Sequence, residues 1–314
     1  MPFADVAAVV IGRNEGARLV RCLASLSDVE RVVYVDSGST DGSTDAAKAA
    51  GAEVVTLDVS TSFTAARARN AGAALTKEPF IQFVDGDCEV QPGWIEAARQ
   101  FLEEEPKAAV ACGRRRETAP DASIYNALAD DEWDTPVGEA GACGGDALIR
   151  AEALREAGGY RDDLIAGEEP ELCLRIRRLG WSVWRLDHEM TRHDAAMTRF
   201  SQWWRRSRRA GHAFAEGAFL HGAGRERHYV KETARALGWA ALPIPAAIAF
   251  WPFGAALLLV YPAQIARLAL KRGGSFGWAW GFFTVVGKFA EAQGVAQFAL
   301  SRLTRRRSRL IEYK

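Results

Sequence analysis

The sequence predicts an α/β fold with a mostly parallel sheet and helices on both faces, followed by an apolar helical region. Three observations predict it. Short apolar runs alternate with helix-like stretches through about residue 190. Two of those runs end in an aspartate, Asp36 and Asp85, where a ligand-binding sheet edge would lie. Beyond residue 190 the composition changes, and no charged residue occurs between Arg235 and Arg267.

The elements follow in order. "VAAVVIG" reads as a strand. "EGARLVRCLASL" carries Ala17, Val20, Leu23 and Ala24 at helical spacing. "RVVYVDSG" is a second strand. "STDAAKAAG" is a helix capped by Ser43 or Thr44 and closed by Gly51. "AEVVTLD" is a third strand, "TAARARNAGAAL" a helix and "FIQFVD" a fourth strand. Strand–helix alternation at this pace argues for parallel strands joined by helical crossovers. The expected division is 1–198 for this domain, 199–235 for a basic amphipathic region and 236–314 for an apolar region with a basic tail.

With 314 residues, 48% hydrophobic and 25% charged, the chain can bury a sizeable core. Lys+Arg and Asp+Glu balance at 40 each, which gives no pull towards nucleic acid. The cysteines at 22, 88, 112, 143 and 173 form no CxxC pair and read as free thiols in a reducing compartment. The N-terminus lacks the basic and apolar regions of a signal peptide, so a cytosolic catalytic part is expected.

"FVDGDCEV" runs an apolar strand into two aspartates. Gly86 would let the backbone turn tightly, so that Asp85 and Asp87 face one point. Like charges held close repel unless a cation lies between them, and carboxylate oxygens suit Mg2+ or Mn2+. A solvated turn is the plainer reading of a lone D-x-D. In "VDSGSTDGS", Asp36 at the strand end suits a base N–H or a ribose hydroxyl. An Asx-turn with a helix cap accounts for Asp41, Ser43 and Thr44.

"VVIGRNEGARLVRCLASL", "VYVDSGSTDGS", "ARARNAG", "FIQFVDGDC" and "GEEPELCLRIRRLGW" occur in an order that resembles family 2 glycosyltransferases over residues 6–187. The resemblance implies the Rossmann-like GT-A fold and a nucleotide-diphosphate sugar donor. It implies that Asp36 contacts the nucleobase, Arg69 lies near the nucleotide, Asp85 faces the ribose or metal, and Asp87 holds the metal on the diphosphate. The family's catalytic base lies in a Glu-Asp pair at a helix start, where this chain has Glu168-Glu169. Glu169 is the candidate base and Glu168 the reserve; an acidic first turn favouring the helix dipole also accounts for them. The family's acceptor border matches "EAGACGGDALIR", with Gly144, Gly145 and Asp146 permitting close approach of a sugar, while Gly158-Gly159 ends the following helix.

Some GT-A enzymes use a late His as a metal ligand, which points to His193, with His188 competing. "QWWRR" resembles the Q-x-x-R-W motif of membrane-bound members, in which Gln202, Trp203 and Arg205 would line an acceptor channel; Arg206 replaces the final Trp. The same segment reads as a basic aromatic helix for an anionic membrane interface. Residues 237–270 are expected to form a re-entrant hairpin turning at "WPFG", with arms too short to span a bilayer. A soluble helical domain is the alternative.

The expected protein is a metal-dependent inverting glycosyltransferase using a lipid-linked or membrane-proximal saccharide acceptor at the cytoplasmic face of a membrane. A processive polysaccharide synthase and an inactive nucleotide-sugar-binding scaffold are the competing readings.

Overall fold

The computed structural model describes residues 2–58, 60, 63–241 and 243–304, and it divides into two compact units, 1–196 and 197–314.

The first unit opens with β1 (Phe3–Gly12), α1 (Ala17–Ala24), β2 (Val29–Asp36), α2 (Ser43–Ala49), β3 (Glu53–Thr56), α3 (Ala65–Ala73) and β4 (Phe80–Asp85). It continues with β5 (Cys88–Val90), α4 (Trp94–Glu104), β6 (Ala108–Glu117), α5 (Ile124–Glu132), β7 (Gly138–Glu139), β8 (Ala147–Arg150), α6 (Ala151–Glu156), α7 (Glu168–Arg178) and β9 (Ser182–His193). The strands form one sheet in the order β3-β2-β1-β4-β8-β6-β9-β5, with β7 on β9.

The expected parallel sheet holds for β3, β2, β1 and β4. Beyond β4 the sheet is mixed, because β8 runs antiparallel to both β4 and β6. Residues Val6–Ile11 of β1 are buried without a break, as a strand covered on both faces requires. Each buried Val or Ile side chain in that run contributes about 1.5–3 kcal/mol. The chain leaves β1 towards β2 and β3 and returns beyond it to β4, so the switch point lies between β1 and β4. The register sets Gly12 beside Asp36 and Ile11 beside Asp85, so both aspartates sit at that carboxyl edge.

Two local readings change. The stripe that α1 buries is Leu19, Cys22 and Leu23, whereas Val20 is exposed. The cap of α2 is Gly42 at φ 83°; Ser43 is already helical and donates its N–H and hydroxyl to Asp41 Oδ1. Gly158 and Gly159, both with positive φ, end α6 as expected.

The second unit contains α8 (Phe200–His221), α9 (Val230–Ala241), α10 (Pro243–Ala249), a 3-10 helix (Phe253–Leu259), α11 (Val260–Arg272) and α12 (Gly274–Leu303). Helices α8 and α12 run side by side in the same direction. Trp203 packs edge-on against Phe283 at 4.8 Å, and His212 against Phe298 at 5.4 Å. Between them Gly211 meets the Glu291 backbone and Gly294 the Arg208 carbonyl, with no space for a Cβ at either. Trp203 is therefore buried in the helical core rather than lining a channel, and Gln202 Oε1 accepts from the Thr198 and Arg199 N–H groups at the start of its own helix. Arg205 is exposed.

The chain reverses near residues 250–253. Tyr261 Oη donates to the Trp239 carbonyl at 2.8 Å, and Gly254 lies against the Ala247 carbonyl. The arms differ from expectation in length, because the returning helix is continuous from Phe253 to Arg272. Its 20 residues are long and apolar enough to cross a membrane. Helix α12 then packs back along α11, with Gly281 on the Ile265 carbonyl and Gly277 on that of Ala269.

Candidate active site

Asp36 is buried at the end of β2. Its Oδ2 accepts the N–H groups of Gly38 and Ser39, both at 2.9 Å, and its Oδ1 accepts from Tyr34 Oη. That Asx-type turn fixes the chain leaving the strand.

Asp85 and Asp87 take different partners. Asp85 Oδ1 accepts from Arg69 at 2.8 Å, while Asp87 Oδ2 lies 3.1 Å from His193 Nε2. Gly86 serves close approach: its N–H donates to the Ile11 carbonyl at 2.8 Å, and a Cβ there would press on that same oxygen. The glycine thus lets the D-G-D turn lie on β1.

Arg69, buried on α3, joins two distant segments. One guanidinium nitrogen pairs with Asp85 and the other with Glu168 on α7, each at 2.8 Å. The two carboxylates hold its pKa above the ordinary arginine value despite burial.

Asp146 is fully buried beneath Asp85. Its Oδ1 accepts the Asp85 N–H at 2.9 Å; its Oδ2 accepts from Thr191 Oγ1 and pairs with Arg115, both at 2.8 Å. It supports the site and does not present its carboxylate to an acceptor. Gly144 has φ 84° and open space where a Cβ would lie, whereas a Cβ on Gly145 would lie 2.7 Å from Asp85 Oδ2.

At the start of α7, Gly167 adopts φ 79° and the three glutamates take separate tasks. Glu168 pairs with Arg69, Glu171 makes a forked pair with Arg175, and Glu169 accepts the Cys143 N–H at 2.5 Å. Burial raises the pKa of Glu169 above its ordinary value, opposed by the bonds from Cys143 and Cys173.

His193, near the end of β9, is held beside Asp87 because β5 pairs with β9 at Cys88↔His193. Burial and the charge of Arg115 push its pKa down to about 4, so the ring is neutral near neutral pH. His188 bonds instead to the Glu189 carbonyl and packs near Trp94. Asp87 and His193, with Cys88 3.7 Å from Asp87, offer oxygen and nitrogen donors that fit a divalent ion such as Mn2+ or Mg2+.

Sequence reading missed Arg115 and Trp133. Arg115 lies over the Trp133 ring at 5.6 Å, and Trp133 packs edge-on to His193 at 4.9 Å. The signal was available in "GRRRE", because alternate strand residues point to opposite faces. Arg114 and Arg116 pair with Asp130, whereas Arg115 turns to Asp146.

Residues 8–156 match glycosyl transferase family 2. The chain carries a family 2 glycosyltransferase domain. This glycosyltransferase domain is 27% identical over 188 residues to a pre-mycofactocin glycosyltransferase of Mycobacterium tuberculosis, covering 56% of this chain and 40% of the relative. It is 33% identical over 128 residues to a TPR repeat-containing protein of Synechococcus elongatus, covering 40% of this chain and 31% of that one. The chain thus spans two fifths or less of the length of these curated relatives. Among solved structures it resembles the mannosyltransferase PcManGT from Pyrobaculum calidifontis in complex with GDP-Man and Mn2+. The TM-score is 0.66 at 21% identity, over 93% of this chain and 87% of that one. S. aureus TarS 1–349 in complex with UDP-GlcNAc matches with TM-score 0.52 and 13% identity, over 96% and 92% of the two chains. At such identities the likeness establishes the GT-A fold of the glycosyltransferase domain.

Proposed function

We propose that the chain transfers a sugar, with inversion, from a nucleoside-diphosphate donor to a hydroxyl of a lipid-linked or membrane-proximal acceptor. The observation that carries this reading is Arg69, which ties Asp85 at the donor edge to Glu168 beside the candidate base. Donor-binding and base-bearing segments, far apart in sequence, therefore share one charged anchor.

In this reading the acceptor oxygen attacks the anomeric carbon as the bond to the diphosphate breaks. Glu169 takes the hydroxyl proton, oriented by the Cys143 N–H, and its raised pKa brings it nearer the working pH of a general base. Asp87 and His193 would hold a Mn2+ or Mg2+ ion, which when bound offsets charge on the departing diphosphate. Arg69 keeps Asp85 in place, and Asp36 shapes the turn on which the nucleobase would rest. Gly144 leaves the acceptor side open, while Gly145 makes room for Asp85. The donor class follows that of the GDP-Man and UDP-GlcNAc complexes.

The second unit, with its exposed apolar hairpin, suits a cytoplasmic membrane surface and hence an acceptor presented there. Calorimetric titration with GDP and UDP, with and without Mn2+, tests the donor reading. We expect Mn2+-dependent binding that Asp87→Asn abolishes; unchanged metal-dependent affinity in that variant would overturn it.

A further inference from the structure

We propose that Cys143, Cys173 and Glu169 form a second divalent-metal site, distinct from Asp87 and His193 and suited to a zinc-class ion. Cys143 Sγ and Cys173 Sγ lie 3.6 Å apart, and Cys173 Sγ lies 3.3 Å from Glu169 Oε1. All three donor atoms fall within 4.8 Å of one another.

Two of the three separations match the edges of a coordination shell. A tetrahedral ion with bonds of about 2.3 Å to sulfur sets two sulfurs about 3.8 Å apart; with about 2.0 Å to oxygen, it sets sulfur and oxygen about 3.5 Å apart. Those two separations are each within about 0.2 Å of these edges. A disulfide would instead require the sulfurs to close to about 2.05 Å. Thiolate with carboxylate selects a zinc-class ion over Mg2+, whose shell is oxygen.

The donors come from two segments already fixed in place. Glu169 and Cys173 are one helical turn apart on α7, and Cys143 is brought to them by its own N–H bond to Glu169. Cys143 belongs to a partly exposed loop, which gives an ion a way in, while Cys173 and Glu169 are buried. Three protein donors leave a fourth position for water. On binding, each thiol and the Glu169 carboxyl give up their protons to solvent, and the ion takes a Glu169 oxygen. A zinc-class ion would therefore disable the base and inhibit transfer; this consequence, unlike the binding itself, rests on the proposed function.

The test uses Co2+ as a spectroscopic probe on the full reduced chain. One equivalent should bind with a thiolate-to-cobalt charge-transfer band in the near ultraviolet. Cys143→Ser should weaken binding by more than about a hundredfold, beyond what losing a supporting group costs. Asp87→Asn and Cys88→Ser should keep the band, because they alter the other cluster. A band that survives Cys143→Ser, one that vanishes in Asp87→Asn, or no band in the unaltered chain would each overturn the site. Cys173→Ser should behave as Cys143→Ser does; if it unfolds, as judged by circular dichroism, the loop variant decides. Zn2+ should inhibit donor turnover in the unaltered chain and much less in Cys143→Ser. Zn2+ that binds without inhibiting would leave the site standing and overturn Glu169 as the base.

Discussion

Asp146 has no exposure to water, and its two oxygens answer to Asp85, Thr191 and Arg115. Removing one member of a buried pair leaves the other charge uncompensated, at a cost of about 3–5 kcal/mol. Asp146→Ala should therefore lower unfolding free energy by about 3 kcal/mol, measured by urea denaturation. It should also weaken donor binding, because the Asp85 N–H loses its acceptor. Glu169 behaves oppositely, since burial favours its protonated form. A carboxyl with a raised folded-state pKa lends stability that is full below its ordinary value of 4.5 and is lost as pH rises through the raised value. Base catalysis needs that same proton gone, so turnover should rise with pH across the window in which stability falls. Glu169→Gln should flatten the stability slope, keep donor affinity and cut transfer by about a hundredfold or more. A slope that persists in the variant would assign the titration elsewhere. Asp36 and Asp87 were legible as candidates near strand ends and Glu169 at a helix start, whereas Arg69, inside α3, came only from the family resemblance. Arg115 was not, because three successive arginines read as surface until strand alternation separates them. The role of Asp146 was hidden for a related reason: "GGD" announces an open turn, and only the fold reveals that its carboxylate points inward.

Among the elements, the alternation from β1 to β4 was legible because strand and helix periods differ and each run was bounded by turn residues. The inversion at β8 was not, since "ALIR" has the same apolar pattern in either direction and pairing partners lie far away in sequence. The packing partner of α8 was not legible for a similar reason. Its aromatic spacing suits a membrane surface as well as another helix, and α12 takes that face through Trp203, Gly211 and His212. Small residues permit this close approach, which makes the crossing testable. A Cβ on Gly294 would overlap the Arg208 carbonyl and the His212 N–H. Gly294→Ala should force the backbones apart and destabilise the helical unit by about 1–3 kcal/mol in a denaturation experiment. Gly238→Ala is the control, because nothing lies within 4 Å of its Cβ position. Higher helix propensity should make that variant neutral or up to about 1 kcal/mol more stable. Equal effects at the two glycines would mean that propensity, not packing, governs α12.

For the whole molecule, the proposed membrane reading takes one of two forms: the apolar hairpin crosses the bilayer or lies at its surface. The 20-residue helix Phe253–Arg272 is long enough to cross, which removes the argument that its arm is too short. Its neighbours argue against crossing. Tyr261 packs on Phe289 at 5.4 Å, next to the Lys288–Glu291 ion pair, and the same stretch of α12 receives Trp203 from the arginine-bearing α8. The middle of that helix therefore lies level with charged groups that hydrocarbon would not accept. The hairpin tip is different. Near the reversal, Phe250, Trp251 and Phe253 are 69, 73 and 88% exposed, and Ile248 is 71% exposed. Large apolar side chains gathered at a hairpin tip suit shallow insertion into one leaflet, with Trp at the headgroup level. We propose that the tip dips into the membrane and the rest of the unit stays at its surface. Replacing Phe250, Trp251 and Phe253 together with Ser should then reduce flotation with anionic vesicles by at least about tenfold, since each buried aromatic contributes on the order of 1.5–3 kcal/mol. Because these side chains are exposed, thermal unfolding and nucleotide binding should be unchanged. A single cysteine at Ser275, in a chain freed of its native cysteines, gives the topology. Protection from an impermeant maleimide on intact cells, lost on permeabilisation, fits the surface arrangement; efficient labelling from outside would mean that Phe253–Arg272 crosses after all.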